Sequence, residues 1–224
     1  MQQALAKLEI VGVGPGSADY VTVAAKKAVQ NAELVIGAQR SLALFVGEVK
    51  GKQIVLTAKN LQESLKKAAE SVKTGKTVAL LSTGDPGFSG LLHTALESGF
   101  FTQADIHVVP GISSIQACAS RLGINWDNIR LFTFHGGNVS DYEKGKLVSA
   151  YQCGRTIMLL PAPKGFAPKD IAALLLETGA DGKTKVYVCE NVTLENEKIT
   201  QTTLEDLASE SFGSLCVMVI KQTA

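Results

Sequence analysis

The 224-residue chain has few of the residues that usually mark chemistry, with three histidines, four cysteines and one tryptophan. Cys118, Cys153, Cys189 and Cys216 lie far apart and form no C-x-x-C pair, so the spacing suggests neither a zinc knuckle nor a redox dithiol. All four are expected as buried thiols. His93, His107 and His135 share no i, i+4 spacing and no acidic companion motif, so no metal site is predicted. Charge of one sign is lacking too. Lys and Arg total 22 against 21 for Asp and Glu, a net charge of +1, so no long-range field gathers nucleic acid or an anionic membrane. An anionic ligand must meet a local pocket. No apolar run approaches the roughly 18 residues of a membrane span, and Met1-Gln-Gln-Ala-Leu-Ala-Lys7 opens no signal peptide. The expectation is a soluble, cytoplasmic protein that binds neither membrane nor nucleic acid. There are no repeats, low-complexity stretches or charge blocks to indicate a tail or a flexible linker.

What remains is a globular composition, 46% hydrophobic and 19% charged, that can build a sizeable core. At roughly 100 to 200 residues per domain the length allows one large domain or two small ones. Short β-branched runs alternate with stretches of helical period, which predicts α/β layers and mostly parallel strands. Strands are expected at Leu8–Val13, Leu34–Ile36, Gln53–Leu56, Thr77–Leu81 and Ile106–Val109. Helices are expected at Val21–Ala32, Ser41–Val46, from Leu61 to the stop at Gly75, and from about Phe88 to Ser98. Asn60 and Glu63 stand in capping-box register at the third helix. The character changes after Pro110-Gly111. A helix at Ser113–Leu122, with Ser113 and Gln116 in capping-box register, and strands at Arg130–Phe134, Thr156–Leu160, Lys185–Cys189 and Leu215–Ile220 form a second series. The expected domains are 1–111 and 112–224.

Three glycine-bearing loops follow strands. Gly12-Val-Gly14-Pro15-Gly16 superficially matches a dinucleotide fingerprint, but Ser17 stands at the third glycine position and Pro15 removes an amide. No acidic residue ends the second strand. A phosphate cradle is therefore not expected, and a plain tight βα turn accounts for the glycines. In Ser82-Thr-Gly84-Asp85-Pro86-Gly87-Phe88, Asp85 reads equally as a helix N-cap with Pro86 at N1. In Val109-Pro-Gly111-Ile-Ser113-Ser114, Ser113 is equally plausible as a cap. Parallel strands all point one way, so these loops should gather at the edge where open α/β sheets bind ligands. None supplies the lysine of a phosphate loop or a nucleophile with a base. Such a site positions a ligand that brings its own reactivity.

The G-x-G-P-G, G-D-P and P-G-I-S-S loops, in this order and separation, resemble the tetrapyrrole methylase family of S-adenosylmethionine-dependent enzymes, over essentially the whole chain. Val35-Ile-Gly37-Ala-Gln-Arg40-Ser-Leu42, Gly84-Asp-Pro-Gly-Phe88, Pro110-Gly-Ile-Ser-Ser-Ile-Gln116, Arg121-Leu-Gly123, Trp126-Asp127, His135-Gly136 and Cys189-Glu190-Asn191 resemble the cobalamin-pathway branch that methylates carbon 5 of the corrin precursor. The resemblance implies two α/β domains, a mostly parallel sheet in the first and a mixed sheet in the second, with a cofactor cleft between them. It implies cofactor contacts from Gly84, Asp85, Phe88, Ser113 and Ser114, with main-chain contacts from Met158 and Leu159, which otherwise read as core strand residues. Gly14, Pro15, Gly16, Arg40 and His135 would border the substrate. Arg40 reads equally as a solvated helix-end residue, and His135 as a structural histidine. Gly137 stands where this branch has an arginine, so a carboxylate-binding role for that loop loses support.

The implied cofactor is S-adenosyl-L-methionine and the implied substrate a polycarboxylate cobalt-precorrin or its metal-free counterpart. A sulfonium is already an activated methyl donor, so the cofactor carries the hard step and the protein orients it. No catalytic residue is assigned; Asp85, Glu190 and His135 are the candidates for proton acceptor. The family also implies a homodimer. Bifunctional relatives append a decarboxylating domain, and 224 residues leave no room for one, so a separate C(15)-methyltransferase is the expected pathway partner. Two rival readings stand: a methylase acting at another macrocycle position, and a non-catalytic nucleotide-binding module. Trp126 and the scattered phenylalanines read as core, because no basic groove accompanies them.

Overall fold

The computed structural model describes residues 7–125, 127–135, 138–162 and 164–221. Trp126, Gly136 and Gly137 lie outside the described residues. The chain divides into two compact units, the first ending at Ser113 and the second beginning at Ser114.

In the first unit, β1 (Leu8–Gly12), β2 (Leu34–Gly37) and β4 (Val78–Ser82) are short apolar runs buried almost throughout. Strands covered on both faces have this composition, and a parallel sheet covers both faces with helices. β3 (Lys52–Val55) and β5 (Ile106–Val109) are more exposed and form the edges. The order is β3-β2-β4-β1-β5 and every pairing is parallel. Alternation along β1 sorts its side chains into two cores. Leu8 and Ile10 pack with Leu65, Ala68 and Ala69 of α3 (Leu61–Lys73), while Val11 packs with Ala25, Ala28 and Val29 of α1 (Val23–Asn31). Fully buried Leu65 contributes about 1.5 to 3 kcal/mol by burial alone. A short α2 (Gln39–Ala43) follows β2, and α4 (Leu91–Glu97) precedes β5.

Local capping departs from expectation at three helices. α1 begins at Val23 because Thr22 caps it, its hydroxyl accepting the Ala25 N–H at 3.1 Å. Asn60 makes no capping box with Glu63. Its side chain turns back into the preceding loop, accepting the Thr57 N–H at 2.7 Å and donating to the Val55 carbonyl at 2.9 Å. The helix expected from Phe88 begins only at Leu91, so Asp85 is not its cap. The Leu91 N–H is received instead by the Ser82 hydroxyl at 3.1 Å, from the end of β4.

In the second unit, β6 (Arg130–Thr133), β7 (Ile157–Leu160), β8 (Lys185–Glu190), β9 (Lys198–Thr203) and β10 (Cys216–Lys221) form a mixed sheet ordered β6-β7-β10-β8-β9. β6 and β7 are parallel, and β10 runs against both β7 and β8, so β6, β7 and β8 share one direction. One face carries the core made by α6 (Asp141–Gln152), α7 (Pro168–Glu177) and α8 (Leu204–Leu207), with Leu147, Ile171, Leu175 and Leu207 against Leu159, Val188 and Met218. Phe134 and Phe166 meet edge to face in this core, their ring centroids 5.0 Å apart. α5 (Ser114–Arg121) packs beside β7 and β10.

The cysteines do not share one environment. Cys118 of α5 and Cys189 of β8 are buried with sulfurs 3.1 Å apart, and Cys216 is half-buried. Cys153 is exposed, contrary to the expectation of four buried thiols, because α6 ends one residue before it and leaves it at the surface.

Candidate functional site

The connection from β1 passes β4 to reach β2, whereas the connection from β4 passes β1 to reach β5. The two loops leave neighbouring strands in opposite directions, which opens a crevice at their carboxyl ends. The glycine loops meet there. Val13 donates its N–H to the Ser82 carbonyl at 3.0 Å, and Gly84 donates to the Gly14 carbonyl at 2.8 Å. A methyl group built on Gly12 would lie 2.5 Å from the Gly111 nitrogen and 2.8 Å from the Gly84 carbonyl oxygen. All three loops therefore touch through backbone, at a distance no side chain allows.

Asp85 ties the same loops together. Its Oδ1 accepts the Gly87 N–H at 2.8 Å and its Oδ2 accepts the Gly111 N–H at 3.1 Å. Charge-assisted bonds of this kind are among the stronger ones in a fold. Gly84 adopts the left-handed region at φ 70°, and a methyl group there would meet only the Ser113 Cα, at 3.8 Å. Gly84 and Ser113 are both buried, and no side chain lies within 4 Å of that added methyl group. Gly14 is also left-handed, at φ 81°, and Pro15 and Gly16 beyond it are half-buried. A single 3-10 turn at Ala18–Tyr20 stands between this loop and α1. Half-buried Phe88 follows Asp85, its N–H on the Asp85 carbonyl at 3.3 Å.

Arg40 comes to the same sheet edge from α2. Its guanidinium donates to the Thr83 hydroxyl at 3.4 Å, and Ser41 lies 3.5 Å from that hydroxyl. The sequence carried no signal for Thr83, because a lone threonine between Ser82 and Gly84 reads as loop. The structure brings Gly14, Pro15, Gly16, Arg40, Gly84, Asp85, Phe88 and Ser113 to one edge of the first sheet, with half-buried Ser114 next in the chain.

His135, Met158 and Leu159 belong to the second unit. The side chains of Met158 and Leu159 are fully buried, which leaves only main-chain atoms for a ligand. Exposed His135 follows β6, at the sheet edge where parallel β7 ends, and the Phe134 N–H reaches the Leu160 carbonyl at 2.9 Å. β8 ends on that edge too. Beyond it Asn191 (φ 50°) and Thr193 (φ 74°) sit in the left-handed region. A β-branched residue there is strained, and such strain persists only where other contacts impose it. Here Glu197 imposes it, accepting the Thr193 N–H at 2.6 Å and the Arg121 Nε at 2.8 Å. Burial of the Glu197 carboxyl works to raise its pKa, but these two partners hold it below the usual value. Glu190 accepts the Gly213 N–H at 2.6 Å. Nothing in the sequence marks Thr193 as strained or Glu197 as its anchor.

This arrangement suits a ligand gripped through backbone, one that brings both an apolar body and its own reactive group. The adenosine and sulfonium of S-adenosylmethionine fit that description. Comparison with known proteins agrees. Residues 7–208 match the family model of the Tetrapyrrole (Corrin/Porphyrin) Methylases. The probable cobalt-precorrin-7 C(5)-methyltransferase of Methanocaldococcus jannaschii is 41% identical over 212 residues, covering 94% of this chain and 95% of that protein. The precorrin-6Y methylase structure from Archaeoglobus fulgidus superposes with a TM-score of 0.73 at 22% identity, over 97% of this chain and 99% of that one. The uroporphyrin-III C-methyltransferase of Thermus thermophilus in complex with S-adenosylhomocysteine gives 0.75 at 21% identity, over 96% and 97%. The two structures establish the shared fold, a parallel first sheet and a mixed second one. This chain belongs to the tetrapyrrole (corrin/porphyrin) methylase family.

Proposed function

We propose that the chain transfers the methyl group of S-adenosylmethionine to carbon 5 of cobalt-precorrin-7, or of the metal-free precorrin-6Y, in cobalamin biosynthesis. The observation that carries the proposal is the backbone convergence of Gly12, Gly84 and Gly111 at the switch point of the first sheet. The 41% identical relative supports carbon 5 as the position.

When bound, the cofactor supplies an activated methyl group on a sulfonium. Gly84, Asp85, Phe88, Ser113 and Ser114 hold it, Asp85 by fixing the amides around it, and Met158 and Leu159 offer main-chain atoms to the adenosine. Gly14, Pro15, Gly16 and His135 border the macrocycle. Arg40 pairs with a substrate carboxylate, a geometry for which a planar guanidinium is suited. Orientation of donor and acceptor carbon, with water excluded, is then the protein's contribution to rate. The reading includes domains at 1–111 and 112–224, a cytoplasmic homodimer, and a separate decarboxylating C(15)-methyltransferase as pathway partner.

Transfer of a tritiated methyl group from S-adenosylmethionine to purified corrinoid intermediates tests the proposal, with product regiochemistry read by NMR. Label at carbon 5 is the expected result. Label at another carbon would move the chain to another branch of the family, and cofactor binding without transfer to any intermediate would overturn the catalytic reading.

A further inference from the structure

A groove of about 820 Å³ lies on the second unit, between the outer edge of β6 and the outward face of α6. It sits at the opposite end of the sheet from His135 and Leu160, because Arg130 opens β6 and Arg155 precedes β7. The helix wall follows from the sequence. Tyr142, Lys146, Ser149 and Cys153 fall at helical spacing on one face, while Leu147, Val148 and Tyr151 pack into the core from the other. Tyr142 is 72% exposed and Leu131 of the opposite wall 40%.

The strand wall is the strand's own open edge. Arg130 and Phe134 give their N–H groups to the Thr156 and Leu160 carbonyls, so alternation turns the N–H and C=O of Leu131 and Thr133 away from β7. β6 is the last strand on this side, and among the described residues nothing pairs with those groups. Consecutive residues Arg130, Leu131 and Phe132 line the groove although their side chains alternate in direction, as expected where the wall is backbone.

The charge is of one sign. Arg130, Lys146 and Arg155 line the groove, no acidic residue does, and among the described residues none of the three has an ion-pair partner. Of the nearby acids of α6, Asp141 pairs with Lys144 and Glu143 bonds the Ser140 hydroxyl, its charge also felt by Lys146, whose ammonium lies over the Tyr142 ring at 4.2 Å. Two of the chain's four arginines therefore stand over an apolar floor beside an unpaired strand edge.

The geometry points to a docking site for an extended acidic segment of a partner protein, added to β6 as a further strand with its acidic side chains on Arg130, Lys146 and Arg155. Main-chain pairing supplies affinity and the cations select sequence, the usual division in strand addition. A second copy of the chain is a poorer occupant, because Arg130-Leu-Phe-Thr133 brings no acid to the three cations. The inference is independent of the methyl-transfer reading.

Amide exchange by NMR on the full chain tests it, with an octapeptide of alternating Glu and Val as the probe. The Leu131 and Thr133 amides should exchange at least tenfold more slowly with this peptide, and the Lys-Val counterpart should bind at least tenfold more weakly. The paired substitution Arg130→Glu with Arg155→Glu should reverse that preference. Unchanged exchange at millimolar Glu-Val peptide overturns the proposal, as does equal binding of both peptides. Protection already present in the free protein, lost when a dimer is diluted, would assign the edge to a second copy and overturn it as well.

Discussion

The carboxylate of Asp85 receives the main-chain N–H of Gly111, 26 residues along the chain, at 3.1 Å. It bridges the loop after β4 to the loop after β5, and its other oxygen pins Gly87 at 2.8 Å. Asp85→Ala should release both amides, lowering stability by about 1 to 3 kcal/mol and affinity for S-adenosylhomocysteine at least tenfold. Asp85→Asn, which keeps one acceptor oxygen, should fall between. Calorimetric titration and urea unfolding measure the two effects separately. Full cofactor affinity in a destabilised Asp85→Ala protein would confine Asp85 to support of the fold.

The loop glycines should rank by what surrounds them. Gly111→Ala drives a methyl group into the Gly12 and Gly84 backbones, where nothing can give, and should cost about 3 kcal/mol or more. Gly84→Ala has room but must hold φ 70°, so about 1 to 2 kcal/mol is expected. Chemical denaturation of both variants checks the order. Equal losses would mean that the close approach of the three loops is not what constrains Gly111.

Arg40 lies on the rim and, among the described residues, donates a hydrogen bond to Thr83 alone, at 3.4 Å. Arg40→Ala should raise the substrate KM roughly fivefold to twentyfold, the worth of a charged hydrogen bond, with little change in cofactor Kd. Steady-state kinetics beside cofactor titration separates the two, and an unchanged KM would remove Arg40 from the site.

Glu197 should make stability depend on pH. Its folded pKa is depressed by Thr193 and Arg121, so its contribution is complete above the ordinary glutamate value and disappears as pH falls through the lower folded one. The side chains of Arg121 and Glu197 are 37% and 20% exposed, so screening limits the gain to about 1 to 2 kcal/mol. Glu197→Gln should lose that amount at pH 7, and the difference from the unsubstituted protein should shrink as the pH falls through the depressed folded value. Denaturant titrations across that range measure it.

Thiol chemistry should distinguish the cysteines. Cys153 is exposed and should react first with an aromatic disulfide reagent, whereas Cys118, Cys189 and Cys216 should wait for unfolding. Burial pushes the Cys216 thiol up to about 12, with the Glu190 carboxylate adding to the effect, which keeps it protonated. One fast equivalent followed by three slow ones is expected by absorbance.

Where the sequence was legible, backbone demands left traces in composition. The buried strands β1, β2 and β4 are continuous apolar runs, and the three loops declare themselves by glycine. α6 escaped because its apolar residues fall on both faces, one toward the core and one toward the groove, although Ser140 and Glu143 form the capping box that marks its start. α7 is marked only by Pro168 at its first turn and by Asp170, which receives the Ala167 N–H, while its leucine-rich interior reads as an apolar run without clear helical period. β9, Lys-Ile-Thr-Gln-Thr-Thr, is too polar to read as a strand and is held as one by β8 alone. The cap reading of Asp85 fails for a local reason. Asp-Pro is a common helix start, but here the helix amide is met by Ser82, nine residues upstream, and the carboxylate is left to reach another loop.

Because Gly12 and Gly111 occupy space that admits no larger residue and Gly84 holds a left-handed backbone, the floor of this crevice cannot be remodelled by ordinary substitution. A change of macrocycle would then fall to groups around the perimeter, such as Arg40. One donor shared by many acceptors is the outcome such a frozen floor allows.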